Sequence, residues 1–175
     1  MARVPQRILW AVRTVAATGA ASVLEVGCGR GHALALLAAE LPGARLAGVD
    51  RSATAVAAAE ERGRALVEAS RLQLVRAELA GVAAERFEAA PFDVVFAVNV
   101  NAFWLEPRAE LAAARSLLAP EGRLLLFYEP PSAAQGLRIR RALTPNLAGH
   151  GFAVHAELEE PLGSVSGVGV AARPA

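Results

Sequence analysis

Lysine is absent from this 175-residue chain, so all 18 basic side chains are arginine. Against 17 acidic residues they leave a net charge of +1 at pH 7. That balance supplies no basic field for a phosphate backbone, and no nucleic-acid partner is expected. The arginine bias is assigned to genomic base composition. Cysteine is nearly absent. Cys28 stands alone, which excludes an internal disulfide and a multi-cysteine metal site. Inside a glycine turn it is expected to fill space rather than to act as a nucleophile. No metal site is expected.

Long uncharged apolar runs are also missing. Hydrophobic residues make up 54% of the chain, a figure that alanine inflates. No run reaches the roughly 18 residues that a spanning helix needs, so no membrane association is expected. Arg3 and Arg7 precede Ile8-Leu9-Trp10, but Arg13 interrupts the apolar part. No targeting segment is therefore expected, and the cytoplasm is the expected location. Repeats, a low-complexity tail and a second composition are lacking too. The length predicts a single domain over 1–175, with 1–20 as an N-terminal covering helix.

What is present is concentrated between Val23 and Leu37. Val23 to Val26 is an apolar, partly β-branched run that predicts a buried strand. Gly27, Gly29 and Gly31 follow at alternate positions. The run from His32 to Leu41 is rich in helix formers and meets Pro42-Gly43. The glycines thus fall in a strand-to-helix turn, where a ligand can touch bare backbone. The spacing is G-x-G-x-G, not the dinucleotide G-x-G-x-x-G. Glu25, two residues before the first glycine, would repel a pyrophosphate and suits a cationic group. Leu46 to Val49 predicts a second strand ending in Asp50, placed to hold both hydroxyls of a ribose. A cation, a ribose and no phosphate together describe S-adenosylmethionine.

On these residues the chain resembles the class I S-adenosylmethionine-dependent methyltransferases. The carriers are Glu25, Gly27, Gly29, Gly31, Asp50 and Glu78. Phe92-Asp93-Val94-Val95-Phe96 and Leu118-Ala119-Pro120-Glu121-Gly122-Arg123 also match. The resemblance implies an α/β fold: a Rossmann-like, doubly wound, mostly parallel seven-stranded sheet. Its order would be 3-2-1-4-5-7-6, with the last strand antiparallel. It further implies that Glu25 orients the methionine end, Asp50 the ribose and Glu78 the adenine, with Arg51, Leu79, Asn99 and Val100 beside the cofactor. It says little about the methyl acceptor.

The rest of the chain fits that plan. Pro5 to Thr18 reads as an amphipathic helix closed by Gly19; Trp10 on it is a core residue or reaches the pocket. Ser52 or Thr54 caps a helix that continues past Arg64. Leu72 to Val75 and Phe92 to Val98 predict the third and fourth strands. Asn99 and Asn101 then face the ligand or form a turn. Phe103 and Trp104 pack a helix or wall an acceptor pocket. Pro107 opens a helix reaching Leu118, Pro120-Glu121-Gly122 turns, and Arg123 to Tyr128 is the fifth strand. Ser132 caps a helix that Pro145 is expected to interrupt, carrying Arg138, Arg140 and Arg141 on a solvated face or toward an acidic acceptor. Phe152 to Leu158 and Val168 to Ala172, joined through Gly163 to Gly167, end the chain.

The sulfonium donor is already activated, so positioning and removal from water supply most of the rate. A missing triad is therefore no argument against an enzyme. If the acceptor must lose a proton, His32 is the first candidate base, then Glu129 and Tyr128. His150 and His155 are read as structural or exposed. The sequence after the fourth strand, Asn99-Val100-Asn101-Ala102, lacks the Asn/Asp-Pro-Pro-aromatic motif of amino-methylating DNA enzymes. One cysteine argues against arsenic methylation, and asparagines are poor ligands for metal-assisted catechol methylation. The expected function is methyl transfer to a small molecule. A protein methyltransferase, a non-catalytic binder of the same cofactor and, more weakly, a nicotinamide dehydrogenase are the alternatives. Oligomeric state is not readable.

Overall fold

The computed structural model describes residues 4–175. Residues 1–3, the start of the expected covering segment and the place of Arg3, lie outside the described residues. One seven-stranded sheet runs through the molecule in the order β3-β2-β1-β4-β5-β7-β6. Its strands are β1 (Ser22–Val26), β2 (Arg45–Asp50), β3 (Leu72–Arg76), β4 (Phe92–Val98), β5 (Leu118–Tyr128), β6 (Phe152–Leu162) and β7 (Val165–Pro174). The first five pair in parallel, and β7 is antiparallel to both β5 and β6. This is the implied order and the implied antiparallel strand.

Alternation along the central strands divides the core into two faces. Leu24, Val95, Ala97, Leu124 and Leu126 join one cluster, under α5 (Ala102–Leu105), α6 (Pro107–Leu117) and α7 (Ala133–Gly149). Val23, Val94, Phe96, Leu125 and Phe127 join the other, under α1 (Gln6–Ala16) and α2 (His32–Glu40). β1 is buried along its whole length, as expected of a central parallel strand. Asp93 in β4 accepts hydrogen bonds from the backbone N–H groups of Ala21 and Ser22, at 2.8 and 3.0 Å, and so fixes the start of β1. Trp10 is a core residue: it meets Phe127 edge-on at 5.0 Å and lies under Gly167, where a Cβ would come within 2.7 Å of its ring.

Four boundaries differ from the sequence-based expectation. The helix after β2 does not run past Arg64: Ser52 caps α3 (Ala53–Arg62), and Gly63 separates it from α4 (Arg64–Glu68). A Cβ at Gly63 would meet Leu72 at 2.5 Å, so the break lets the chain pass close to β3. β5 starts at Leu118 rather than Arg123 and absorbs Pro120-Glu121-Gly122 as an irregularity between its pairings with Phe92 and Val94. α7 is not interrupted at Pro145. Leu143 and Leu147 on either side are fully buried while Pro145 is exposed, so packing holds the helix and the lost bond faces water. The last two strands are longer than expected, leaving only Gly163-Ser164 as the turn, with Gly163 at φ +67°.

Candidate functional site

The strand order reverses between β1 and β4, and a crevice opens there at the C-terminal edge of the sheet. The β1–α2 turn forms its floor. Gly27, Gly29 and Gly31 all have positive φ, at 69°, 51° and 73°. Each does a different job. A Cβ on Gly27 would strike Val100 at 2.7 Å, so its backbone lies against the loop after β4. A Cβ on Gly31 would meet Ala59 at 3.0 Å, so this glycine lets α2 approach α3. At Gly29 nothing lies within 4 Å of the Cβ position.

Asp50 ends β2 and ties the turn down. One carboxylate oxygen accepts the Gly29 N–H at 2.9 Å, and the other accepts the Ser52 N–H at 2.9 Å. Carboxylate lone pairs remain on both oxygens. Asp50, Arg51, Glu78, Leu79 and Val100 line a cleft of about 440 Å³ together with Gly27 and Asn99. Glu110 of α6 joins them, a residue the sequence reading missed. Its helix carries no motif, and only the packing of α6 against the segment after β3 brings it there. Burial, then Glu78, raise the Glu110 carboxyl above its ordinary range.

A second cavity, of about 390 Å³, lies on the other side of Gly27. Glu25, Gly29, His32 and Asn99 line it, and Pro5, Arg7 and Ile8 at the start of α1 close it over. Glu25 is 3% exposed, and its Oε2 has no hydrogen-bond partner among the described residues. Desolvation, followed by the nearby Asp50, raises its carboxyl well above the ordinary range. A buried acceptor without a donor is costly unless a ligand supplies one. The cavity therefore calls for a cationic donor at Glu25. Cys28 is buried beside it; burial, then Glu25 and Asp50, push its thiol up, so it stays protonated.

The third hollow, of about 230 Å³, is bounded by Asn99, Asn101, Tyr128, Glu129 and Gln135. Asn99 therefore borders all three spaces. It adopts φ 57°, a left-handed conformation that asparagine tolerates, and its Oδ1 accepts the Glu129 N–H at 2.8 Å. The turn role and the ligand-facing position coincide in one residue. Asn101 borders the same hollow, and its Oδ1 accepts from the Trp104 indole at 3.2 Å.

The candidate bases are distributed as follows. His32 lines the Glu25 cavity, and its Nε2 faces the Arg62 guanidinium at 3.3 Å. Partial burial, then Arg62 and Arg30, lower its pKa, so the ring is neutral at pH 7. Glu129 is ion-paired to Arg7 at 2.6 Å, which ties the end of β5 to α1. Tyr128 donates its hydroxyl to the Val100 carbonyl at 3.0 Å, and burial pushes its pKa upward. Phe103 is fully buried core, and Trp104 packs beside it. Arg140 pairs with Glu157 and Glu159 of β6, while Arg138 and Arg141 are exposed. His150 bonds the Asn146 carbonyl at 2.7 Å, and His155 lies exposed on β6. Among the described residues no cluster of three metal-ligating side chains occurs, and no helix is long and apolar enough to cross a membrane.

Known proteins share this fold. The chain is 34% identical over 110 residues to trans-aconitate 2-methyltransferase of Paracidovorax citrulli (strain AAC00-1), covering 62% of this chain and 39% of that protein. It therefore spans well under half the length of that curated relative. Magnesium protoporphyrin IX methyltransferase from Synechocystis PCC 6803, with bound SAM, superposes with a TM-score of 0.72 at 21% identity, over 97% of this chain and 79% of that one. Ribosomal protein L11 methylase from Lactobacillus delbrueckii subsp. bulgaricus gives 0.69 at 19% identity, over 97% and 77%. At such identities the structural likeness concerns the fold. The model of the methyltransferase domain matches residues 24–124, more than half of the chain. With that span containing Glu25, the three glycines, Asp50, Glu78 and Asn99, the chain belongs to the methyltransferase domain family.

Proposed function

We propose that the protein is an S-adenosylmethionine-dependent methyltransferase acting on a small-molecule acceptor. The observation that carries this is Glu25, a buried carboxyl with an unpartnered oxygen at the end of β1, just before the glycine turn. Its requirement for a cationic donor fits the ammonium of the cofactor's methionine moiety. Asp50, with lone pairs left after holding Gly29 and Ser52, fits the ribose hydroxyls. Glu78 and Leu79 fit the adenine, and Val100 limits the space above Gly27. Family membership supports the same assignment, as do the bound SAM named for the Synechocystis enzyme and the small acceptor named for the Paracidovorax relative.

When bound, the sulfonium supplies an electrophilic methyl group. The chain's own residues bind, orient and exclude water: Glu25 and Asp50 set the two ends, and α1 covers the methionine side through Pro5, Arg7 and Ile8. The third hollow, past Asn99, is where the acceptor stands.

Calorimetry with S-adenosylmethionine, its demethylated product and NAD tests the cofactor. Tight binding of the first two is expected; a preference for NAD defeats the assignment. Asp50→Ala should weaken cofactor binding by roughly 1–3 kcal/mol, through lost charge-assisted hydrogen bonds. Unchanged affinity removes Asp50 from the ribose site. Transfer of labelled methyl to a small-molecule panel is expected. Binding without transfer to any small molecule or protein extract would make the protein a cofactor binder.

A further inference from the structure

The amino-acid end of the cofactor carries a second charge besides the ammonium that Glu25 attracts. Ammonium and carboxylate sit on one carbon, so a carboxylate comes to rest in the cavity that Glu25 lines. Among the described residues two cations border that space, Arg7 and Arg30, while His32 is neutral there. Arg30 is exposed, whereas Arg7 is partly buried in the turn of α1 that covers the cavity. Arg7 spends one guanidinium N–H on Glu129 among the described residues, out of five it carries.

Glu129 belongs to a different space. It lines the acceptor hollow, so the Arg7–Glu129 pair at 2.6 Å links that hollow to the methionine-side cavity. Both side chains are about one-third exposed, and a pair so exposed is held weakly. Glu129 can turn to water, which a carboxylate enclosed in the cavity cannot, so the enclosed anion has the stronger claim on the guanidinium. The other groups near the hollow that could take a proton are spent. The Tyr128 hydroxyl donates to the Val100 carbonyl at 3.0 Å, and the His32 Nε2 faces Arg62 at 3.3 Å. From α7 only the uncharged Gln135 and Ile139 line the hollow.

We propose that the cofactor's methionine carboxylate takes Arg7 from Glu129, and that the freed Glu129 is the general base for a hydroxyl acceptor in the hollow. This inference rests on the methyltransferase function proposed above. With Arg7 withdrawn, an anionic acceptor meets like charge at Glu129. An ammonium pairs with Glu129 but has no lone pair to attack with. An uncharged hydroxyl is the acceptor that needs this carboxylate. Its oxygen lone pair forms the new O–C bond to the methyl carbon while the C–S bond breaks and that bond's electron pair goes to sulfur. The O–H proton passes to a Glu129 carboxylate oxygen and from there to water. The products are a methyl ether, the neutral thioether and one proton. No base is released until the methyl donor is in place.

The test uses the full chain. Calorimetry compares the demethylated cofactor with its decarboxylated analogue. Arg7→Gln should weaken the first about tenfold or more and leave the second unchanged. Glu129→Gln, which frees Arg7, should tighten the first severalfold. A crystal structure with the demethylated cofactor should show Arg7 on the ligand carboxylate and Glu129 beyond ion-pair distance, facing the hollow. If Arg7 stays on Glu129, or if Arg30→Gln rather than Arg7→Gln removes the carboxylate's contribution, the hand-over is overturned. Labelled methyl transfer to a panel of phenols, alcohols, amines and carboxylic acids reads the base. Label on hydroxyl compounds is expected, with a wild-type rate flat between about pH 6 and 9. Glu129→Gln should lower kcat about a hundredfold at pH 7 with little change in acceptor KM, and its remaining rate should climb with pH as the acceptor ionises unaided. A wild-type rate that climbs with pH, an unchanged kcat in Glu129→Gln, or label on amines or carboxylic acids alone overturns the base role. If the wild type does not bind the cofactor, or binds it and labels no class of acceptor, the function proposed above fails first, and the two failures are told apart.

Discussion

At the scale of single residues, Glu25 carries opposing demands. Its burial disfavours the charged form, and a cationic ligand favours it. In the free protein the raised pKa means that stability falls as pH climbs from the unfolded carboxyl value, about 4.3, through the folded one. Glu25→Gln keeps the shape and removes that penalty. The variant should melt higher than wild type above about pH 5, with the gap widening as pH rises, while its cofactor affinity drops by roughly 1–3 kcal/mol. Binding to wild type should release a proton, which calorimetry in buffers of different ionisation enthalpy reads directly. A lower melting point in Glu25→Gln, or no loss of affinity, would contradict this account.

The glycines separate in the same way. Gly27→Ala faces both a left-handed backbone and Val100 at 2.7 Å, so it should cost about 2 kcal/mol or more of stability by thermal or urea melts. Gly29→Ala has open space around the Cβ but keeps the left-handed strain, and should cost about 1–2 kcal/mol. Because Gly29 lines the methionine-side cavity, weaker cofactor binding should accompany that loss. Equal destabilisation by the two would show that the turn, not its neighbours, sets the cost.

At the scale of elements, α7 shows packing overriding a local signal. Pro145 deletes one backbone bond, yet Leu143 and Leu147 are fully buried against the sheet and the helix runs on to Gly149. Because Pro145 is exposed, Pro145→Ala introduces no clash and restores the N–H bond toward the Arg141 carbonyl. A rise in stability of about 1–3 kcal/mol is expected from denaturant melts. The break at Gly63 runs the opposite way. No helix-stop pattern marks it beyond one glycine, and it follows from how near the chain passes to Leu72.

At the scale of the whole molecule, the methionine-side cavity is closed by two parts far apart in the chain. Arg7 of α1 meets Glu129 after β5, and Trp10, one turn later, locks α1 to Phe127. Such a site is completed by its ligand, which supplies the donor that Glu25 lacks. Saturating S-adenosylmethionine should therefore raise the melting temperature, by the equivalent of about 2.7 kcal/mol at a hundred times Kd. Glu25→Gln should blunt that rise. A melting temperature indifferent to the cofactor would count against the cradle as a binding site.

Much of this was written in local pattern. Five apolar runs separated by helical stretches determine a parallel sheet, because buried strands must be apolar on both faces. Glu25, the alternating glycines and Asp50 determine a cradle, because each lies within a few residues of a strand end and topology brings strand ends to one edge. Glu110, the orphaned oxygen of Glu25, the Arg7–Glu129 pair and the engaged lone pairs of His32 and Tyr128 carry no such mark. They depend on which distant segment packs beside them, and only tertiary structure brings those segments together. That is why the cofactor side is legible along the chain, whereas the chemistry facing the acceptor is decided by contacts across it.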